Sequence, residues 1–383
     1  MGRTCLLLVL VGCVGSNGAT PSGDDGVTVD AGLDAGLDTP PQVGLALPVD
    51  PPVPADNPSS AAKIALGRLL FWDPILSGNR DVACATCHVP QFGYTDGLPT
   101  AIGTGGTGTG PARTIDPSLP RPNRNSLTIL NTAWNGAVSA HPIPSSELAP
   151  MFWDSRTQSL ENQARGPITA AAEMLGASYT AATIFPELVT RLQAIPAYVA
   201  QFDAVYGAGQ ISETTILKSI AAFERTLTNP QTSYDRFVGG DASALTASQK
   251  HGLDVFKQIG CVNCHSGPMF SDYKLHVLRV PDLPGTTHDA GDGQNRFRTP
   301  SLRNVARTAP YMHDGVFPSF MQVFQFYRQA TQNPIDPDLH GVRTPTPQEA
   351  PDVIAFLGAL GDTPFDTSVP GAVPSGLIPG GAP

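Results

Sequence analysis

The sequence predicts a mainly α-helical protein made of two similar halves, and three features support this fold class. A Cys-x-x-Cys-His pattern occurs twice, at residues 84–88 and 261–265. A Gly-x-x-x-Phe spacing precedes each copy, at residues 67–71 and 252–256, which indicates an internal duplication. Strand-like alternation of apolar and polar residues is scarce along the whole chain. We therefore expect two helical domains of related fold.

Each Cys-x-x-Cys-His copy has the residue types and spacing that attach a c-type haem. Two thiols at this spacing reach two vinyl groups on one edge of the porphyrin, and the adjacent imidazole lies beneath the iron. Cys84 and Cys87 are thus expected to hold one haem, with His88 as the iron ligand. The second copy supplies the corresponding residues Cys261, Cys264 and His265. One copy alone would also suit a redox dithiol or half a zinc site, but two copies with the trailing His favour two cytochrome c-like domains, each around one covalently bound haem c.

The composition excludes some classes of partner. The chain has 383 residues and a net charge of −10, which argues against nucleic acid and is compatible with a basic redox partner or with simple solubility. Only 15% of the residues are charged, while there are 39 Gly and 38 Pro. This balance is typical of a compact core joined by long loops.

The first residues read as an export signal followed by a tether. Residues 1–14 place Arg3 before a short apolar run, and Leu10–Cys13 resembles a bacterial lipobox, which would put a lipid on Cys13 as a membrane tether. Residues 15–55 are expected to form a flexible linker. Covalent haem c attachment also belongs outside the cytoplasm, so we expect a periplasmic protein. No later apolar run approaches the ~18 residues needed to span a membrane.

The two domains are expected at residues 56–235 and 236–365, followed by a disordered tail at 366–383. Ser59 or Ser60 is suited to cap the first helix. An apolar-periodic helix closes each half. The apolar positions of these two helices are Ile216, Ile220, Phe223 and Leu227, then Val353, Ile354, Leu357 and Leu360. The segment 346–349 looks like the start of the last helix, although Pro351 suggests a later start.

The chain resembles the bacterial dihaem cytochrome c peroxidase and MauG family over roughly residues 60–365. Several motifs in the same order carry the resemblance, which makes chance similarity a poor explanation. These motifs are Gly67–Ser77, Arg124–Ser126, Leu130–Asn131, Phe152–Arg156, Gln163–Ala164, Pro167–Ile168, Glu173–Met174, Thr299–Asn304 and Ala309–Gly315.

The resemblance implies that the His88 haem is the peroxidatic one. Glu173 matches the family's distal acid and base, which takes a proton from peroxide and returns one to the departing oxygen. Gln163 and Pro167 would line the same pocket. Trp153 would lie between the haems and help electrons pass. Taken alone, Glu173 reads as a surface helix residue and Trp153 as a buried core aromatic.

The resemblance also implies a calcium ion between the haems. Asn125, through its side chain, matches one ligand of that site, and the backbone carbonyls of Thr308 and Pro310 match two others. Oxygen-only ligation suits calcium.

The sequence departs from many peroxidases of the family on the distal side of the His88 haem. Those proteins hold a second His over this iron until the other haem is reduced. The stretch 89–123 contains no His and includes the Gly/Thr-rich run Thr104–Gly110. We therefore expect an open, high-spin His88 haem that needs no reductive activation, with His141 as a less favoured surrogate ligand. His251, His276 and His288 are expected to be structural or solvent-facing, with no role in the chemistry.

A second departure concerns the axial ligand of the His265 haem. Peroxidases place a Met about fourteen residues beyond the His of a Tyr-x-His-x-Gly segment, and here that position is Tyr327. Tyr is the ligand in the MauG branch, and a phenolate stabilises ferric iron whereas a thioether raises the potential. The alternatives are a core aromatic at Tyr327, with Met321, Met312 or Met269 as the ligand.

The leading functional expectation is a dihaem peroxidase that reduces hydrogen peroxide at the His88 haem with electrons delivered through the His265 haem. The donor would be a small cytochrome c or a cupredoxin. The alternative is a MauG-like oxidase that modifies aromatic side chains of a partner protein. A non-catalytic dihaem electron carrier and a dihaem oxygenase remain further options. The resemblance also allows a homodimer.

Overall fold

The computed structural model describes residues 43–139 and 146–381. The predicted export signal, the lipobox and His141 lie outside the described residues. Within the described ranges, no helix is long and apolar enough to cross a membrane.

The described residues form a mainly helical fold with very short strands, which confirms the predicted fold class. The α-helices in chain order are α1 (Ala61–Trp72), α2 (Cys84–Cys87), α3 (Leu160–Gln163), α4 (Arg165–Thr169), α5 (Ile184–Gln193), α6 (Pro196–Tyr206), α7 (Glu213–Glu224), α8 (Ser233–Val238), α9 (Ala247–Gln258), α10 (Phe320–Ala330) and α11 (Ala350–Gly358). Two antiparallel pairs join β1 (Pro150–Met151) to β2 (Thr157–Gln158) and β3 (Leu275–His276) to β4 (Phe297–Arg298). A π-helical turn spans Ala171–Leu175. Single 3₁₀ turns span Pro74–Leu76, Pro90–Phe92, Gly110–Ala112, Thr132–Trp134, Ser146–Leu148, Cys261–Asn263, Val305–Arg307 and Pro337–Leu339.

The first half is organised by the crossing of α1 and α7. Ser60 caps α1 by accepting a hydrogen bond from the Lys63 backbone N–H at 3.2 Å, as predicted from the sequence. A Cβ at Gly67 would overlap the backbone carbonyl of Ser219, so only glycine allows the two helices to approach this closely. Leu66, Leu70, Phe71, Ile216, Ile220 and Phe223 fill the core at this crossing.

The second half repeats this arrangement with α9 and α11. A Cβ at Gly252 would overlap the backbone carbonyl of Asp352, and Phe256 packs against Phe356 with ring centroids 5.3 Å apart. The paired glycines therefore mark equivalent helix crossings, which supports the internal duplication. Helix α11 begins at Ala350, so Pro351 occupies its first turn, where a missing N–H costs nothing.

The boundary between the halves lies earlier than predicted. Tyr234 is fully buried in the core of the second half, and Asp235 accepts hydrogen bonds from both terminal nitrogens of the buried Arg303, at 3.0 and 2.8 Å. Both residues were expected at the end of the first domain. Helix α8, which contains them, therefore belongs to the second half because its apolar face is buried there.

The prediction of a disordered tail from residue 366 is wrong for residues 366–381. Val373 is buried in the core of the first half, the Ser375 hydroxyl donates to Asp73 at 2.6 Å, and the Gly380 N–H donates to the Trp72 carbonyl at 2.8 Å. The high Gly and Pro content of the tail suggested disorder. Its few apolar side chains nevertheless find a partner surface.

The end of the predicted linker is also ordered. Leu47 is 3% exposed and packs with Trp134 and Tyr273. Its backbone N–H donates to Asp235 at 2.9 Å. Residues 43–47 are therefore held by contacts that are mostly with the second half, and the flexible-linker prediction is wrong for them.

Candidate functional site

The first Cys-x-x-Cys-His motif forms one helical turn. It spans α2, and the His88 backbone N–H donates to the Cys84 carbonyl at 3.0 Å. The His88 ring Nδ1 lies 3.0 Å from the Tyr94 carbonyl, to which it can only donate. Since Nδ1 carries the proton, Nε2 is the atom that can bind iron. Burial lowers the pKa of His88, which favours the neutral imidazole that a metal requires.

The second motif reproduces this geometry. The His265 backbone N–H donates to the Cys261 carbonyl at 2.9 Å, and the ring Nδ1 donates to the Phe270 carbonyl at 3.0 Å. Burial also lowers the pKa of His265. Both histidines therefore present Nε2 in the same tautomer, which fits the attachment of a haem at each motif.

The four motif cysteines are free thiols with no disulfide between them. Burial raises the pKa of all four. Protonated, buried thiols do not suit a reactive redox dithiol, which needs a thiolate. The structure therefore favours haem attachment over the redox interpretation.

One cavity opens beside the second motif, and we refer to it as the second-motif cavity. Cys261, Cys264, His265, Tyr327 and Met312 all lie on its wall. Burial raises the pKa of Tyr327, so a phenolate here would depend on a nearby cation. Two other candidate ligands do not line this cavity: Met321 is 53% exposed on α10, and Met269 is buried beside Trp134 and Tyr273.

Trp153 also lines the second-motif cavity. Its indole Nε1 donates to the Asn125 carbonyl at 3.0 Å, and its own carbonyl accepts from the Arg298 N–H at 2.6 Å. Trp153 is therefore fixed by backbone contacts from both halves of the chain.

The three residues predicted to bind calcium line this same cavity: Asn125, Thr308 and Pro310. The Asn125 side-chain nitrogen donates to the Leu98 carbonyl at 2.8 Å. This contact leaves the side-chain oxygen as the atom suited to a hard cation. Calcium binding itself stays a prediction.

The predicted distal residues fall in one continuous segment. Gln163 ends α3, Pro167 lies in α4, and Glu173 lies at the centre of the π-helical turn Ala171–Leu175, which we refer to as the distal turn. Burial raises the pKa of Glu173, while the charges of Arg156 and Arg124 act in the opposite direction. The carboxyl group is thus half-buried and shifted towards the neutral range where acid–base catalysts work.

The sequence interpretation missed two charged residues that organise the loop beside the distal turn. Arg113 is 6% exposed and donates to the carbonyls of Ile102, Gly103 and Gly108 at 2.8 to 2.9 Å. Asp81 accepts from the Gly105 N–H at 2.7 Å. The glycine-rich composition suggested only an open loop. No local sequence pattern predicts that Arg113 and Asp81 form hydrogen bonds with the backbone of this loop.

Of the histidines expected to be structural or solvent-facing, His276 is a buried residue. His276 is 6% exposed and lines the second-motif cavity. Its two ring nitrogens each lie 3.1 Å from a carboxylate, one of Asp272 and one of Asp336. Burial opposes its charge, but the Asp272 and Cys264 hydrogen bonds raise the pKa of His276 to about 11. The two flanking carboxylates therefore favour a protonated ring at this buried position beside the second motif. His251 and His288 are both more than half exposed.

Comparisons with known proteins agree with this geometry. A family model described as di-haem cytochrome c peroxidase matches residues 61–243. The chain is 34% identical over 348 residues to the cytochrome-c peroxidase IdrP1 of Pseudomonas sp. (strain SCT), covering 81% of this chain and 83% of that protein. It is also 34% identical over 339 residues to the methylamine utilization protein MauG of Methylorubrum extorquens, covering 84% and 85%.

Solved structures show the same fold. A MauG-like protein associated with microbial copper homeostasis superposes with a TM-score of 0.66 at 28% identity, covering 85% of this chain and 95% of that chain. The diheme peroxidase BthA from Burkholderia thailandensis gives a TM-score of 0.61 at 21% identity, covering 84% of this chain and 95% of that chain. The cytochrome c-like domains expected from the sequence are therefore confirmed.

Proposed function

Because this chain belongs to the family of di-haem cytochrome c peroxidases that includes MauG, we propose that it reduces hydrogen peroxide at the His88 haem with electrons delivered through the His265 haem. The observation that carries this proposal is the pairing of two equivalent haem-attachment motifs with a half-buried carboxyl group, Glu173, on the distal turn. When bound, the haem supplies the iron at which peroxide is cleaved.

Glu173 is proposed as the acid–base residue of this reaction. Its carboxylate takes the proton from the near oxygen of peroxide and returns it to the departing oxygen, which leaves as water. Partial burial supports this role because it raises the pKa of Glu173, which makes the group a better proton acceptor. Gln163 and Pro167, which precede it on α3 and α4, are proposed to line the same pocket.

We further propose that the protein reacts without prior reduction. The stretch 89–123 has no His, so it offers no imidazole to close the distal face. Arg113 holds the carbonyls of Ile102 and Gly103, just before the Gly/Thr-rich run, and that of Gly108 within it, which supports a loop that stays in place. Trp153, fixed against Asn125 and Arg298, is proposed to pass electrons between the haems.

The second candidate function is a MauG-like oxidation of aromatic side chains in a partner protein. The observation that favours it is Tyr327, which lines the cavity of His265 where peroxidases of the family place a Met. A small cytochrome or cupredoxin donor fits the first function, and a protein substrate fits the second. Steady-state kinetics with peroxide and a reduced small cytochrome, compared with an aromatic-rich partner protein, separates them.

Cellular location and calcium belong to the same proposal. Two covalent haem c groups support a periplasmic protein, since the motif is filled outside the cytoplasm. Oxygen atoms of Asn125, Thr308 and Pro310 on one cavity wall support an interhaem calcium ion.

The experiment that tests the proposal starts from the haem-loaded protein in its ferric state. We expect a high-spin electron paramagnetic resonance signal that changes at once on adding one equivalent of peroxide. Glu173→Gln should slow this change by about 10²- to 10⁴-fold. Glu213→Gln is the matched control because Glu213 is exposed and pairs only with Arg165 among the described residues. An entirely low-spin signal that is inert until half-reduction would indicate a reductively activated peroxidase, and one that stays inert after half-reduction would support a dihaem electron carrier.

A further inference from the structure

Two separate segments hold the backbone of the distal turn. The Thr104 N–H donates to the Glu173 carbonyl at 2.8 Å, and the Gly78 N–H donates to the Met174 carbonyl at 2.7 Å. Gly78 precedes the first Cys-x-x-Cys-His motif in the sequence, and Thr104 follows it. The position of the Glu173 backbone is therefore set by contacts outside its own helix.

Both segments touch the distal turn without an intervening side chain. A Cβ at Gly103 would overlap the carbonyls of Ala172 and Glu173, and a Cβ at Gly78 would overlap the carbonyl of Leu175. The two segments therefore pack directly against the backbone of the distal turn. Because no side chain separates them, a small shift of either segment displaces Glu173.

Asp81 joins the two segments to each other. It follows Gly78 in the chain, and its carboxylate accepts from the Thr104 hydroxyl at 3.1 Å and from the Gly105 N–H at 2.7 Å. The Asn79 side chain donates to the same Thr104 hydroxyl at 2.7 Å. The Ser77 hydroxyl also lies 3.4 Å from the Asp81 carboxylate. Hydrogen bonds to an ionised acceptor are among the stronger contacts available to a loop.

We propose that Asp81 is a positioning residue for Glu173, acting through Thr104 to fix the distance between the distal carboxylate and bound peroxide. This inference rests on the proposed peroxidase function and names the device that orients its acid–base residue. General acid–base catalysis depends steeply on geometry, since a displacement of about 1 Å costs on the order of 10²-fold in rate. The Gly/Thr-rich loop thus holds the distal turn in place, in addition to lacking a His ligand.

The test measures the rate of the spectral change when the ferric, haem-loaded protein is mixed with peroxide. Asp81→Ala removes the acceptor contacts to Thr104 and Gly105, together with the longer one to Ser77, and should slow the change by about 10- to 100-fold. Asp241→Ala is the matched control, because Asp241 also accepts from one backbone N–H and one hydroxyl, both of Ser243, and follows helix α8 in the second half. It should react at the wild-type rate.

A double variant distinguishes positioning from a general loss of structure. If Asp81 acts through Glu173, adding Asp81→Ala to Glu173→Gln should cause no further slowing. An equal slowing in both backgrounds, or a wild-type rate for Asp81→Ala, would overturn the inference. A Glu173→Gln variant that reacts as fast as wild type would instead overturn the proposed function itself.

A second substitution keeps the inference testable if Asp81→Ala fails to bind haem. Thr104→Val keeps the size of the side chain and the Asp81 charge but removes the hydroxyl that links the two segments. It should slow the peroxide reaction in the wild-type background and have no effect in the Glu173→Gln background. A Thr104→Val rate equal to wild type would exclude positioning of Glu173 by Asp81 through Thr104.

Discussion

At the scale of single residues, the chemistry depends on hydrogen bonds that select one state of a side chain. The carbonyls of Tyr94 and Phe270 fix the tautomers of His88 and His265. Partial burial acts on Glu173 in a comparable way, because it makes the carboxyl group more basic. A backbone carbonyl thus sets the tautomer of each histidine, and burial sets the direction of the pKa shift of Glu173.

If Glu173 is the acid–base residue, as proposed, its raised pKa predicts how the peroxide reaction depends on pH. The group must be ionised to accept a proton, so the rate should fall as pH decreases through its pKa. Because burial raises that pKa, the acid limb should lie above the range of an ordinary carboxyl group. Stopped-flow rates across the acid range would measure the limb. Glu173→Gln should abolish it and Glu213→Gln should retain it; a limb unchanged in Glu173→Gln would assign it to another group.

At the scale of secondary-structure elements, each half is built on a helix crossing that requires a glycine. Gly67 meets α7 and Gly252 meets α11, and each lies in the helix that leads to its haem motif. The crossing therefore sets where the motif begins relative to the core. Repetition of this contact explains why the Gly-x-x-x-Phe spacing appears twice.

Gly67→Ala and Gly252→Ala should each destabilise the fold, because the added methyl group overlaps a backbone carbonyl. Overpacking of this kind costs about 1–3 kcal/mol or more. Thermal unfolding followed by circular dichroism would measure it. Gly358→Ala is the control, since nothing lies within 4 Å of a Cβ there, and its melting temperature should be unchanged or slightly higher. Equal melting temperatures for all three variants would contradict the crossing argument.

At the scale of the whole molecule, the chain termini of the described region pack on the opposite halves. Residues near Leu47 contact the second half through Tyr234 and Asp235. The tail contacts the first half through Asp73 and Trp72, and Gly380 lies against Ala83 beside the first motif. Each half is therefore completed by a segment from the far end of the sequence.

Val373→Asp should detach the tail, because it places a charge at a buried position. It also removes the burial of the Val side chain, which contributes about 1.5–3 kcal/mol to the free energy of folding. We expect a lower melting temperature and cleavage of the tail under limited proteolysis. Ile378→Asp changes a neighbouring apolar side chain that is 80% exposed and should behave as wild type. If both variants behaved alike, the tail would not be part of the fold.

The sequence alone determined the features that local spacing controls. The two attachment motifs, the Ser60 cap and the duplicated glycines follow from residues within one or two helical turns, and the ordered motifs from Gly67–Ser77 to Ala309–Gly315 identified the family. Local rules apply to these features because their geometry is set within a short stretch of chain.

Only the tertiary structure decided which distant groups meet. The tail, composed of residues that favour disorder, is ordered because Val373 and Ser375 find partners about 300 residues away in sequence. The contacts of His276 with Asp272 and of Asp81 with Thr104 and Gly105 are likewise invisible in the sequence, because burial and charge pairing depend on neighbours that no spacing rule specifies.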